Sequence, residues 1–148
     1  MADGERAMTP PELALVVPCY NEAERLDPEA FLQFVATHPG VQLVLVDDGS
    51  QDATGEILER MRAAAPASVT TLRHSPNRGK AETVRAGILA GLAHRATLVG
   101  FFDADLATPL GAIDDFLAVL RARPEVEFVL GSRVMLMGRD IRRKATRH

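Results

Sequence analysis

The chain has 148 residues, enough for one domain with a full hydrophobic core, and its 47% hydrophobic and 25% charged residues are ordinary for a soluble globular protein. No apolar run approaches the ~20 residues that span a bilayer, Met1–Pro11 lacks the apolar stretch of a signal peptide, and Cys19 stands alone, which excludes an internal disulfide and fits a reducing cytoplasm. The net charge of −3 conceals an asymmetry: 138–148 carries +4, through Arg139, Arg142, Arg143, Lys144 and Arg147 against Asp140, and leaves −7 on the rest. That is too local for a nucleic-acid-binding face; it reads either as a solvated terminus or as a segment that meets phosphates or an anionic membrane surface. His38, His74, His94 and His148 show no metal-ligand spacing, so no zinc site is expected.

In chain order, short continuous apolar runs mark strands buried on both faces: Leu13–Val17, Val41–Val46, Val69–Leu72, Thr97–Phe102 and a weaker fifth, Glu127–Leu130. Helical periods lie between them. Ile57, Leu58 and Met61 share a face after Thr54 as cap; Ala81, Val84, Ile88 and Leu92 share another; Leu110, Ile113, Phe116, Leu117 and Leu120 share a third, with Pro109 in its first turn. The alternation predicts a mostly parallel sheet with helices on both faces and right-handed crossovers. Such sheets bind ligands beyond the carboxyl ends of their strands, where the strand order reverses.

Polar residues collect at those ends. The first strand runs into Pro18-Cys19-Tyr20-Asn21-Glu22, a mixture of flat face and hydrogen-bonding groups that suits a nucleobase or ribose, or a plain loop capped by Asn21. The second ends in Asp47-Asp48-Gly49-Ser50, where two adjacent carboxylates call for donors and Gly49 permits a positive φ; binding and turn chemistry both account for it. The third leads to Asn77-Arg78-Gly79-Lys80. Neither GxxxxGK nor GxGxxG is present, but Lys80 at a helix start suits a phosphate or stands as a solvated lysine. The fourth delivers Phe101-Phe102-Asp103-Ala104-Asp105, two carboxylates that, two apart in an extended segment, face one hard cation. Gly131-Ser132-Arg133 ends the weak fifth, with the Arg133 fork suited to a phosphate.

Taken together, VVPCYNE, VDDGSQDAT, NRGKAETVRAG, FFDADLATP and GSR resemble, in order, the family 2 glycosyltransferases, and most of all the polyprenyl-phosphate hexosyltransferases, with the tail closer to the glucosyl branch. The resemblance runs from Leu13 to His148. It implies a three-layer α/β/α GT-A fold of Rossmann-like type, cut short on its C-terminal side because relatives continue into an acceptor-binding half. The organisation expected is a flexible N-terminus at 1–12, a nucleotide-sugar-binding domain at 13–137 and a basic segment at 138–148. The resemblance further implies that Pro18, Tyr20, Glu22, Asp47 and Asp48 hold the nucleoside, that Asp103 and Asp105 hold Mg²⁺ or Mn²⁺ and the diphosphate, and that Lys80 and Arg133 contact phosphates; Asn21 and Gly49 join them as nucleotide-sugar-binding candidates. Asp105 and Arg133 are thereby the catalytic candidates. Many relatives carry Gln two residues past the second acid; here that place is Ala107. The implied reaction is inverting transfer of a hexose from UDP-glucose or GDP-mannose to a polyprenyl phosphate, at the cytoplasmic face of a membrane that the protein meets peripherally, with no nucleic-acid partner. Two other readings stand beside it. One is a nucleotide-sugar-binding module without activity. The other is a haloacid-dehalogenase-like phosphatase, whose strand-end DxD normally opens the chain and would leave the two earlier motifs unexplained.

Overall fold

The computed structural model describes residues 9–132. Expectations for residues 1–8, for Arg133 and for the basic segment 138–148 therefore lie outside the described residues. Two compact units divide the rest, one reaching Leu110 and the other starting at Gly111.

The first unit is a four-stranded parallel sheet in the order β3-β2-β1-β4. Its strands are β1 (Leu13–Cys19), β2 (Val41–Asp47), β3 (Val69–Arg73) and β4 (Leu98–Phe101), and its helices are α1 (Pro28–Thr37), α2 (Thr54–Ala64) and α3 (Lys80–Ala93). β1 pairs along its whole length with β2, from Leu13 opposite Val41 to Cys19 opposite Asp47, so both strands deliver their polar sequels at one level. β1 to β2 to β3 proceeds in one direction across the sheet, whereas the step from β3 to β4 doubles back to the far side of β1. With right-handed crossovers α1 and α2 cover one face and α3 the other, which gives the three layers. The switch point falls between β1 and β4.

Burial follows the alternation of the strands. Ala14, Val16, Val44 and Val46 form a buried cluster with Ile88 and Ala90 of α3. Leu13, Leu15, Val17, Leu43 and Leu45 point the other way, toward the face where Phe31, Phe34 and Val35 of α1 and Leu58 and Met61 of α2 are buried. Each such side chain contributes about 1.5–3 kcal/mol on leaving water.

Four local expectations are corrected, and one unexpected helix, α1, is added. α1 had no counterpart in the sequence reading; its signal is Asp27-Pro28, with Asp27 accepting from the Ala30 N–H at 3.0 Å and Pro28 in the first turn. Thr54 does not cap α2 but is its first residue, and Asp52 takes the capping role by accepting the Thr54 N–H at 2.9 Å. α3 turns Thr83, Gly87 and Gly91 to the interior, while Leu92, expected there, is exposed. Glu127–Leu130 forms no strand, and Phe128 and Leu130 are exposed. In the second unit α4 (Ala112–Ala122) buries Ile113 and Leu117 as expected, but Pro109 precedes its first turn.

Candidate functional site

The sheet brings the mouths of β1, β2 and β4 together, and the loops after them are stitched to one another. Asn21, at φ 51°, donates its N–H to Ser50 Oγ at 3.0 Å and accepts the Gln51 N–H at 2.9 Å. The Glu22 N–H donates to Thr54 Oγ1 at 2.8 Å, and the Ala23 N–H to Asp52 Oδ2 at 3.2 Å. Asn21, expected at a ligand, thus spends its side chain on holding the loop after β1 against the loop after β2. Ser50, Asp52 and Thr54 do the reciprocal work. Sequence reasoning quoted their motif and missed this role, because the partners are about thirty residues away.

The rim is acidic. Glu22 is mostly buried, with Oε1 accepting from Arg25 at 2.7 Å and Oε2 buried without a hydrogen-bond partner. Burial pushes its carboxyl above the ordinary 4.5, helped by the charges of Asp105 and Asp103 and opposed by Arg25. The two acids after β4 are therefore near enough for Glu22 to feel their charge. They do not reach it by strand alternation: β4 ends at Phe101, the chain turns at Ala104-Asp105, and Leu106 takes the left-handed φ of 51°. Asp103 accepts from Lys80 Nζ, and Asp105 Oδ1 accepts the Ala107 N–H at 3.1 Å. Lys80 is the first residue of α3, as expected. Tyr20 is 45% exposed at the same mouth and offers an accessible ring.

The Asp47-Asp48 pair separates into two environments. Asp47 is buried; its Oδ1 accepts the Ser50 N–H at 2.9 Å, while its Oδ2 lies 3.5 Å from Arg73 Nε and accepts no hydrogen bond. Asp48 is equally buried but fully engaged. Its Oδ1 accepts from the Arg78 N–H at 2.8 Å and meets His74 Nδ1 at 3.0 Å, and its Oδ2 accepts the Gly79 N–H at 2.9 Å. Burial pushes this carboxyl up, but the Arg78 N–H, His74, the Thr83 hydroxyl and the Gly79 N–H outweigh it and hold it below the ordinary range. Asp48, expected at the nucleoside, is hydrogen-bonded to the β3–α3 loop. Gly49 has the expected positive φ, 76°, and a Cβ there would lie 3.1 Å from the Asn77 N and 3.3 Å from the His74 O. Below the rim, burial and the charges of Glu22 and Asp47 push the Cys19 thiol up to about 12, so it is chemically quiet.

Among the described residues no three His, Cys, Asp or Glu side chains are disposed to cage a metal, and no helix is long and apolar enough to cross a membrane. Asp103 and Asp105 nonetheless fit a hard divalent cation that takes the rest of its oxygens from phosphates and water.

The profile of Glycosyl transferase family 2 matches residues 14–146. The chain is 31% identical over 136 residues to a dolichyl-phosphate β-glucosyltransferase of Trichomonas vaginalis, covering 84% of the chain and 39% of that protein. It is 36% identical over 138 residues to its Drosophila melanogaster counterpart, covering 84% and 41%. The chain thus spans about two fifths of the length of the curated relatives it matches. The mannosyltransferase PcManGT of Pyrobaculum calidifontis, solved with GDP-Man and Mn²⁺, superposes with a TM-score of 0.59 at 24% identity, over 76% of the chain and 33% of that structure, and shares the GT-A fold. A parallel sheet with acids gathered at its switch point and a profile match over nearly its whole length place the chain in glycosyl transferase family 2.

Proposed function

We propose that the crevice between the mouths of β1, β2 and β4 binds a nucleotide-diphosphate sugar with Mg²⁺ or Mn²⁺, and that the hexose passes with inversion to a polyprenyl phosphate. The observation that carries this reading is the placing of Asp103 and Asp105 just past the end of β4, beside β1 whose own end leads to Glu22, with Lys80 at the start of α3 bonded to Asp103. Three neighbouring carboxylates with only Arg25 and Lys80 paired to them leave an excess of negative charge that calls for a cation, and a lysine at a helix N-terminus calls for an anion. A metal–diphosphate complex satisfies both. The names of the relatives favour glucose as the sugar and a dolichyl-type phosphate as the acceptor.

In this reading Tyr20 stacks on the nucleoside beside Pro18 and Gly49, and Asp47 Oδ2 and Glu22 Oε2, neither of which accepts a hydrogen bond within the protein, accept its N–H and O–H groups. Asp103 and Asp105 hold the cation, which supplies charge neutralisation to the departing diphosphate. Lys80 would turn its ammonium to the phosphates once a cation holds Asp103. An oxygen of the acceptor phosphate forms the new bond at the anomeric carbon as the bond to the diphosphate breaks on the opposite side. That acceptor is already ionised at neutral pH, so the step needs no strong base. The basic residues of 138–148 suit an anionic lipid surface at the cytoplasmic face.

Calorimetric titration with UDP-glucose and GDP-mannose, each with and without Mn²⁺, tests the reading. One donor is expected to bind only with metal, and Asp105→Ala to weaken it on the order of 100-fold or more with the fold retained. Unchanged affinity in the variant overturns the metal assignment, and binding of neither donor overturns the site.

A further inference from the structure

We infer that Thr54 is a positioning residue, whose buried hydroxyl, aimed by Asp52, holds the Glu22 backbone and so sets the Glu22 carboxylate at the mouth of β1. The inference rests on the donor-binding reading above. Thr54 is 0% exposed, so it offers nothing to a ligand itself. Its hydroxyl donates to Asp52 Oδ1 at 2.5 Å and accepts the Glu22 N–H at 2.8 Å. The Thr54 hydroxyl, aided by the Thr54 and Ala23 N–H groups, holds the Asp52 carboxyl below its ordinary range and so ionised at neutral pH. An ionised carboxylate only accepts, and a hydroxyl has one proton, so the direction of both bonds is fixed. Asp52 Oδ2 accepts the Ala23 N–H at 3.2 Å, and one acid thereby grips the residue after Glu22 while aiming the hydroxyl that grips Glu22. The Glu22 carbonyl is held as well, by the Arg25 and Leu26 N–H groups at 2.9 and 2.8 Å. With the backbone pinned on both sides and Arg25 on Oε1 at 2.7 Å, Oε2 is left buried and accepts no hydrogen bond within the protein. Capping α2 takes only the bond from the Thr54 N–H to Asp52, at 2.9 Å. The reach of the hydroxyl to the loop after β1 is surplus to that cap.

Thr54→Val, which keeps the shape and removes the hydroxyl, is the informative change; Thr54→Ser, which keeps the hydroxyl, is its rescue. Calorimetry with UDP-glucose and GDP-mannose, each with Mn²⁺, reads the site. For the donor that wild type binds, Thr54→Val is expected to weaken affinity roughly 10-fold and Thr54→Ser to stay within about 2-fold. Glu22→Ala removes the carboxylate that Thr54 places, and in that background Thr54→Val should cost nothing further. Losses that multiply in the double variant overturn the inference, because Thr54 then acts other than through Glu22. Thr54→Ser as weak as Thr54→Val overturns it too, because the methyl and not the hydroxyl then matters.

Amide hydrogen exchange without ligand reads the loop separately. The Arg25 and Leu26 N–H groups donate to Glu22 and not to Thr54, so they report on the loop rather than on the deleted bond. Faster exchange at both in Thr54→Val is expected, and unchanged exchange overturns the inference. Wild type that binds neither donor sinks the donor-binding reading, while the exchange result still decides whether Thr54 holds the loop. Asp52→Asn, which keeps the hydroxyl and weakens its aim, should shift both readouts in the same direction by less; it carries the test if Thr54→Val does not fold.

Discussion

Glu22 shows what the proposed binding site costs the fold that carries it. Its carboxyl is raised above 4.5, with burial the largest cause, so the folded chain holds that proton more tightly than the unfolded chain. The stability this contributes is fully present below 4.5 and is lost as pH rises through the folded value; at neutral pH the folded state carries a disfavoured charge. Glu22→Gln keeps an acceptor for Arg25 and removes the charge. Without metal or nucleotide, its melting temperature should exceed that of wild type by on the order of 2 °C at pH 7, with the difference shrinking to nothing near pH 4. The same variant should bind a metal–nucleotide complex more weakly, because the charge that burdens the proposed site would attract the cation. Thermal melts across pH 4–8 check the first part. A difference that does not change with pH removes Glu22 as its source. This residue was legible in the sequence as a strand-end acid, but its partly buried setting beside two distant acids was not.

Among the elements, α3 departs furthest from its sequence pattern, and packing explains why. Ranking by side-chain hydrophobicity selects Ala81, Val84, Ile88 and Leu92 as the inner face. The helix instead lies so close to the sheet that the facing positions have almost no side chain: a Cβ on Gly87 would stand 2.2 Å from Val16 Cγ1, and one on Gly91 2.7 Å from Ala14 Cβ. The large residues are displaced to the flanks, and Leu89 and Leu92 are half exposed. Alanine is the better helix former by about 1 kcal/mol, yet Gly87→Ala should destabilise the protein by about 3 kcal/mol, because helix and sheet must part. Gly100→Ala in β4, where a Cβ meets nothing within 4 Å, is the control and should stay within about 0.5 kcal/mol. Urea unfolding decides, and a neutral Gly87→Ala would mean the helix can shift freely. The strands were easier to read because buried parallel strands need continuous apolar sequence. Glu127–Leu130 has such a pattern but no neighbouring strand among the described residues to bury it.

At the scale of the whole molecule, what the sequence displayed was the set of strand-end motifs, and what it concealed was their mutual support. Asn21 with Ser50 and Gln51, Glu22 with Thr54, and Asp48 with Arg78 and Gly79 join positions about thirty residues apart, which only the parallel register brings together. The proposed donor crevice draws its described residues from the first unit. Transfer asks more, and the chain spans only about two fifths of its curated relatives. The two steps separate in one experiment with UDP-glucose, Mn²⁺ and a polyprenyl phosphate in detergent, following UDP and glycolipid together. The proposed reaction gives equal amounts of both, with a rate that rises through about pH 6 as the acceptor loses its second proton and is level above. A rising limb above pH 7 would reveal a protein base that the proposed step does without. UDP release without glycolipid would mean that water takes the acceptor's place. Donor binding without any release would make the chain a nucleotide-sugar-binding module. Cleavage of a simple phosphomonoester would reassign Asp103 from metal ligand to nucleophile and Asp105 to acid–base partner, the one outcome under which the strand-end acids serve a different chemistry.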